Sequence, residues 1–511
     1  MSNPTETATD KDTEKPPSPT TTPLPDISTA ESQPITLTLS RPQKWLSTLT
    51  KYGVETSSIA PVPISSRTDK RFINVFFVWF TMSTNLLPIV TGMVGTLSFG
   101  LSLRDASLVI LFFSLLCALP PAFMGVFGAR TGLRTMLLAR FTFGYYLTSI
   151  IVALNLCTIA GFGIIDCVLS GLTLAAVSEG GISATVGIVI IALCGMVVAI
   201  GGYRILHQFE RYSWVFALVA ILVATGEGGK GLINQASTEK PTPATVISFG
   251  GAVAGFLIPW AAMASDFTVY CDTSVSPLRI FFYTYFGLNI PTIPLMILGA
   301  AIGSSTSTNS SWSTGYESYS AGGVLYAMVS PLGNFGKFIS VLLSFSLLGN
   351  LAAAMYSISI NFQLLLPSKV MLKIPRLVFV VIYTAVAIPV SISAATSFFA
   401  SLENFLYVIA YWSAAFVSVT FTEHFLFRGG RCTEEQYTHD TVSSASKLPS
   451  GIAALTAMGA SFGLVVPCMA QIWYTGPLAE TVGDLGFEVA LVLAALLYGP
   501  FRWVERKWRG C

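Results

Sequence analysis

Four apolar stretches carry polar or aromatic side chains whose types and spacing could bind a ligand. WFTMSTNLLPIVTGMVG places Thr81, Ser83 and Asn85 before Pro88, followed by Gly92 and Gly95. TIAGFGIIDCVLSG sets Asp166 four residues after Phe162, on one face of a helix. FGGAVAGFLIPWAAMASDFTVY puts Gly250, Gly251 and Gly255 ahead of Pro259 and Trp260, with Asp266 six residues beyond the tryptophan. SFSLLGNLAAAMYS holds Asn350 among small residues that permit close helix packing. Hydroxyl, amide and carboxyl groups make oriented hydrogen bonds, and Phe162 and Trp260 offer faces for stacking. The set suits recognition of a small, flat, polar ligand. Asp166 and Asp266 are the ionisable members of the set.

Such groups inside an apolar segment each need a partner or water. A lone carboxylate at mid-membrane costs roughly 2.5–3.5 kcal/mol on insertion scales. Asp166 therefore either faces a polar cavity or hydrogen-bonds a neighbouring helix for packing. Asn350 has the same two options. Glu423 and His424 read as wetted residues at the end of a span. Catalysis has little support: the histidines are His207, His424 and His439, none of them mid-span, and HExxH does not occur. No CxxC pair suggests a metal site, and no metal or cofactor is expected. A GxxxxGK[ST] loop and a TVGYG-like filter are both missing from the sequence, against a primary pump and a channel.

The elements that must position these groups follow from composition. Of 511 residues, 53% are hydrophobic and 11% charged, against about 25% charged in a soluble domain. The chain reads as an all-α polytopic membrane protein. Its net charge of +2 offers no basic surface for nucleic acid. A membrane helix needs about 20 apolar residues, and twelve segments qualify: 72–98, 106–127, 144–172, 182–202, 211–226, 245–270, 280–303, 335–361, 375–395, 402–427, 451–473 and 484–503. Residues 1–66, rich in Thr, Ser, Pro and acidic side chains, read as a disordered cytoplasmic tail. Within it, WLSTL either lies on the membrane surface or belongs to a solvated linker. With the N-terminus inside, the inner loops hold twelve basic residues: Arg130, Arg134, Arg140, Arg204, Arg211, Arg279, Lys369, Lys373, Arg376, Arg428, Arg431 and Lys447. The outer loops hold Arg104, Lys230 and Lys240, with Lys337 at the edge of span eight. That asymmetry puts both termini in the cytoplasm. Spans one and six are each interrupted by Pro and Gly near the middle, a pattern that marks an inverted-repeat transporter with a site at the bilayer midplane. Two ordinary proline kinks are the alternative.

The runs TGLRTMLLARFTFGYY, GGYRILHQFERYSW, WAAMASDFTVY and LENFLYVIAYWSAAF resemble the fungal purine-cytosine permease family of nucleobase–cation symporters. The resemblance covers residues 50–508. It implies a LeuT-like fold in residues 67–508, with a five-plus-five inverted repeat (72–226 and 245–427) and two additional C-terminal helices (451–503). It also implies proton-coupled import of nucleobases such as adenine, guanine, hypoxanthine or cytosine across the plasma membrane. Family members hold the base between an aromatic residue of span three and a Trp of span six, positions filled here by Phe162 and Trp260. The sequence departs from the pattern in having Phe162 and Asp166 where Trp and Asn are common. It also reads Thr81, Met82, Ser83 after Trp79, and Asn350, Leu351, Ala352, Ala353, Ala354 where cytosine transporters carry further Asn and Pro. These departures favour the transporter class over cytosine as substrate and leave another flat heterocycle, such as vitamin B6, as the second reading.

The basic asymmetry makes a topological prediction. Reporter fusions after Ser178 and Thr441 will report outside and inside respectively; an inside signal at Ser178 overturns the orientation.

Overall fold

The computed structural model describes residues 60–365 and 374–509, without the side chains of 202–211. Residues 1–59, including WLSTL, lie outside the described residues. Helix occupies each of the twelve expected segments. Spans one to six are Ile73–Ser83 with Leu86–Leu97, Leu103–Cys117 with Leu119–Thr131, Thr148–Val177, Ala184–Ile200, Gly202–Leu232 and Pro243–Leu257. Spans seven to twelve are Pro277–Thr306, Asn334–Phe345 with Leu348–Leu365, Arg376–Ala394, Phe398–Thr422, Ile452–Cys468 and Gly486–Arg509. Eight helical stretches among the described residues are long and apolar enough to cross a membrane, and the bent pair forming span one makes nine. One of the eight, Arg376–Phe427, contains both spans nine and ten, while spans four and eleven are shorter, at 17 residues each.

Span one breaks at Thr84 and Asn85, where its two halves diverge by 53°. The break is one turn earlier than proline chemistry suggested. Asn85 is extended and caps the second half: its Oδ1 accepts from the Leu87 N–H at 2.9 Å, and its Nδ2 donates to the Met82 carbonyl at 2.8 Å. Pro88 then falls in the first turn of Leu86–Leu97, where an N–H has no helical partner to lose. Span six ends as an α-helix at Leu257 and continues as 3₁₀ turns, Ile258–Ala262 and Ala264–Phe267. Span eight also breaks, between Phe345 and Leu348, which the sequence reading did not anticipate.

The glycines of span one serve packing. A Cβ on Gly92 would stand 1.9 Å from the Met296 carbonyl oxygen of span seven, and one on Gly299 would stand 1.7 Å from the Ile89 carbonyl oxygen. Spans one and seven thus touch backbone to backbone, as small residues allow in membranes.

Three findings amend the sequence reading at the periphery. Residues 60–66, assigned to the tail, are placed against the core: the Val62 N–H donates to the Gly132 carbonyl at 3.0 Å. Arg67 follows, buried, with Nε on the Val62 carbonyl, Nη2 on the Thr131 carbonyl and an ion pair to Glu434 at 2.6 Å. The loop after span seven contains a helix, Ser310–Val329, kinked at Tyr319 and Ser320; its Ser- and Gly-rich composition gave no apolar periodicity to detect. Glu423 and His424 are buried instead of wetted. Glu423 is satisfied there by Arg502 Nε at 3.0 Å, Arg428 Nε at 3.1 Å and the Tyr498 hydroxyl at 2.8 Å. Arg502 also pairs with Glu505 at 2.9 Å. A buried charge persists when paired and hydrogen-bonded in this way, and the cluster ties span ten to span twelve.

A methyl group on Gly299 must displace backbone, and overpacking costs roughly 1–3 kcal/mol or more. Gly299→Ala will lower the thermal midpoint of purified protein and its delivery to the membrane. Gly459→Ala, with nothing within 4 Å of its Cβ, will change neither; equal behaviour of the two variants contradicts the packing seen here.

Candidate functional site

The breaks in spans one, six and eight, together with the middle of span three, surround a cavity of about 360 Å³. Its aromatic walls are Phe162 and Trp260, nearly parallel at 18° with ring centroids 5.8 Å apart. Trp79 packs edge-on to Trp260 at 5.6 Å, and Phe405 of span ten packs edge-on to Phe162 at 5.1 Å. The 3₁₀ turn of span six is what carries Trp260 to the cavity. Its indole Nε1 is buried with no hydrogen-bond partner among the described residues. No charged side chain lines this cavity; Asn350, Thr158 and Ser357 supply its polarity.

The residues expected from sequence divide in two. Phe162, Trp260 and Asn350 line the cavity. Thr81, Ser83, Asn85 and Asp166 are not among its lining residues, and Asn85 is committed to capping. Asp166 is fully buried one turn beyond Phe162, where its Oδ2 accepts from Asn350 Nδ2 at 2.6 Å. The carboxyl thus reaches the cavity through Asn350, whose carbonyl oxygen is the acceptor it can then offer to a ligand. Asp266 stands elsewhere, accepting the Thr135 N–H at 2.8 Å at the start of helix Thr135–Phe143, a favourable end for a carboxylate.

Sequence reasoning missed Met82, Thr158, Met263, Ala353, Ala354 and Ser357. Two signals were present. Ala353, Ala354 and Ser357 follow Asn350 at three, four and seven residues, one helix face. Thr158 precedes Phe162 by four, and its hydroxyl accepts from Trp412 Nε1 at 2.9 Å, joining span three to span ten.

A second cavity, of about 820 Å³, shares Ala353 and Ser357 with the first and is lined by Asp69, Asn74, Arg134, Asp266 and Tyr270. It therefore opens from the N-terminal end of span one toward the aromatic pair. On the opposite face, Glu179 after span three accepts from the Tyr326 hydroxyl and pairs with Lys337 at 3.0 Å. The Tyr326 hydrogen bond, and then Lys337, hold the Glu179 carboxyl below its ordinary range.

Broken first and sixth spans around a central cavity, with a vestibule on one side, define a secondary transporter with the LeuT-like architecture. The chain belongs to the family of permeases for cytosine/purines, uracil, thiamine and allantoin, which it matches over residues 61–489. It is 31% identical over 464 residues to the purine-cytosine permease fcyB of Emericella nidulans, covering 90% of each chain. It is 27% identical to the vitamin B6 transporter TPN1 of Saccharomyces cerevisiae, covering 90% of this chain and 89% of that one. Among solved structures, the nucleobase-cation-symport-1 family transporter Mhp1, closed with bromovinylhydantoin bound, superposes with a TM-score of 0.67 at 16% identity, over 89% of this chain and 96% of that one.

Stacking on an aromatic face is worth about 1–3 kcal/mol. Trp260→Ala will raise the apparent substrate constant about ten-fold or more at normal surface expression, and Trp260→Phe will recover most of the loss. Unchanged kinetics in the alanine variant remove Trp260 from the site.

Proposed function

We propose that this chain is a proton-coupled symporter that imports nucleobases, adenine, guanine, hypoxanthine or cytosine, across the plasma membrane, with both termini in the cytoplasm. The observation that carries the reading is the near-parallel Phe162–Trp260 pair on a central cavity whose edge is furnished by Asn350. Flat heterocycles present two faces to stack and a rim of donors and acceptors, and this cavity offers both complements. A ring between two aromatic planes needs about 7 Å, twice a carbon–carbon contact of about 3.5 Å. The 5.8 Å spacing must therefore open as the ligand enters, which fits a site that closes and opens during transport. Thr81, Ser83 and Asn85 act in this reading by shaping the break of span one, and Asp166 and Asp266 are the coupling candidates. The basic inner loops support the orientation. The function proposed is transport and not catalysis, in keeping with relatives named as permeases and transporters.

A second reading, transport of vitamin B6, is favoured by one observation. Ala353 and Ala354 line the cavity in the span-eight stretch where cytosine transporters carry more polar groups, and such small side chains leave room for ring substituents that a base lacks.

Uptake in a yeast strain lacking its own permeases decides between them. Radiolabelled adenine, hypoxanthine, guanine, cytosine and pyridoxine are tested with and without a protonophore. At least one base will accumulate, and the protonophore will abolish it. Accumulation of pyridoxine alone establishes the second reading, and accumulation of none overturns both.

A further inference from the structure

Asp166 is fully buried. Its Oδ2 accepts from Asn350 Nδ2 at 2.6 Å, while its Oδ1 is buried with no hydrogen-bond partner among the described residues. No ion pair to Asp166 occurs among the described residues. The groups facing it are few. Span eight contributes Asn350. Span nine contributes Tyr383, whose hydroxyl donates to the Ala160 carbonyl at 3.0 Å, and Ser391, whose hydroxyl donates to the Ile164 carbonyl at 3.3 Å. Cys167 stands beside it on its own helix. None of these supplies a cation, and Asn350 is the one that also lines the cavity.

The chemistry of the pair has two states. An ionised carboxylate only accepts hydrogen bonds, so the Asn350 amide must turn its NH₂ toward Asp166 and keep its carbonyl for the cavity. A carboxyl protonated on Oδ2 donates instead. The amide then satisfies it by turning over, carbonyl toward Asp166 and NH₂ toward the cavity. The rotation breaks no covalent bond and leaves the side-chain volume unchanged, which a close-packed interior requires.

We propose that Asp166 and Asn350 form a proton-set selector, in which protonation of Asp166 reverses the Asn350 amide and exchanges the acceptor offered to the ligand for a donor. The inference rests on the nucleobase reading above and adds a positioning residue to it. Asp166 does not touch the ligand; it dictates which end of Asn350 does. With Asp166 ionised the site favours a base whose edge donates, such as the exocyclic amine of adenine. With Asp166 protonated it favours a base whose edge accepts, such as the carbonyl of hypoxanthine. The same step ties ligand preference to a proton taken from one side of the membrane and released on the other.

The test is competition binding by wild-type protein in lipid nanodiscs, with unlabelled adenine and hypoxanthine against a radiolabelled base, at about pH 5.5 and about pH 7.5. Neither base titrates in this interval. The ratio of the two inhibition constants will shift toward hypoxanthine at the lower pH by about five-fold or more. In Asp166→Asn, which keeps an amide-to-amide hydrogen bond but has no proton to exchange, the ratio will be flat. In Asn350→Ala it will be flat as well, with both bases weakened. A flat ratio in the wild type, or a shift that survives in either variant, overturns the selector. Binding of neither base at either pH overturns the nucleobase reading and the selector with it, whereas a flat ratio overturns the selector alone.

Discussion

A helix can be interrupted inside a membrane only where something other than water satisfies the backbone groups it frees. Everything central to this protein depends on how that requirement is met at two breaks. In span one the Asn85 side chain bonds backbone on both sides of the gap, and the Thr84 hydroxyl donates to the Phe80 carbonyl at 2.6 Å. In span six the chain keeps local bonds through its 3₁₀ turns, Met263 N–H to the Trp260 carbonyl and Asp266 N–H to the Met263 carbonyl. Neighbouring segments supply the rest: Ser265 donates to the Met124 carbonyl at 2.6 Å, and Thr268 to the Gly125 carbonyl at 2.7 Å. With their polarity settled internally, the breaks can turn Met82, Pro259, Trp260 and Met263 toward a common cavity. A continuous pair of helices would have carried these side chains past one another.

The frame around the breaks is built for different degrees of commitment. Spans one and seven touch through Gly92 and Gly299 without room for a methyl group, and spans ten and twelve are locked by Glu423, Arg428 and Arg502. Alternating access needs such rigid bodies, because a packed interface shifts between discrete arrangements instead of deforming. Contacts at the edge of the protein are of another kind: Glu179 is exposed and Tyr326 and Lys337 are half-buried, and surface pairs of this sort contribute little to stability.

Much of this was legible in the residues. Span positions follow from apolar length, and Phe162, Trp260 and Asn350 stood out as aromatic or amide groups in apolar runs. What could not be read was direction. Asp166 and Phe162 share a helix face, yet one turn separates a residue that lines the cavity from one that stands behind it, and only the position of Asn350 on another helix reveals the link. Asn85 has the composition of a ligand-binding residue and the geometry of a cap, and Pro88 marks the neighbourhood of the break without causing it. Glu423 and His424 looked wetted because, apart from Arg428 close by, the groups that satisfy them in the interior, Arg502, Tyr498 and Tyr437, lie 13 or more residues away in sequence. Small apolar lining residues such as Ala353 and Ala354 carry no chemical mark at all and emerge only from helical spacing once Asn350 is chosen as the anchor.

The account turns on one claim, that the cavity between Phe162 and Trp260 is where the transported ring is held. A structure determined with adenine or hypoxanthine at saturating concentration measures this directly. The account requires the ring between the two aromatic planes, their centroids opened from 5.8 Å to about 7 Å, with the edge of the base in hydrogen-bond contact with Asn350. A base bound only in the vestibule beside Asp69 and Arg134, or an aromatic pair unmoved with the ring lodged elsewhere, would contradict it.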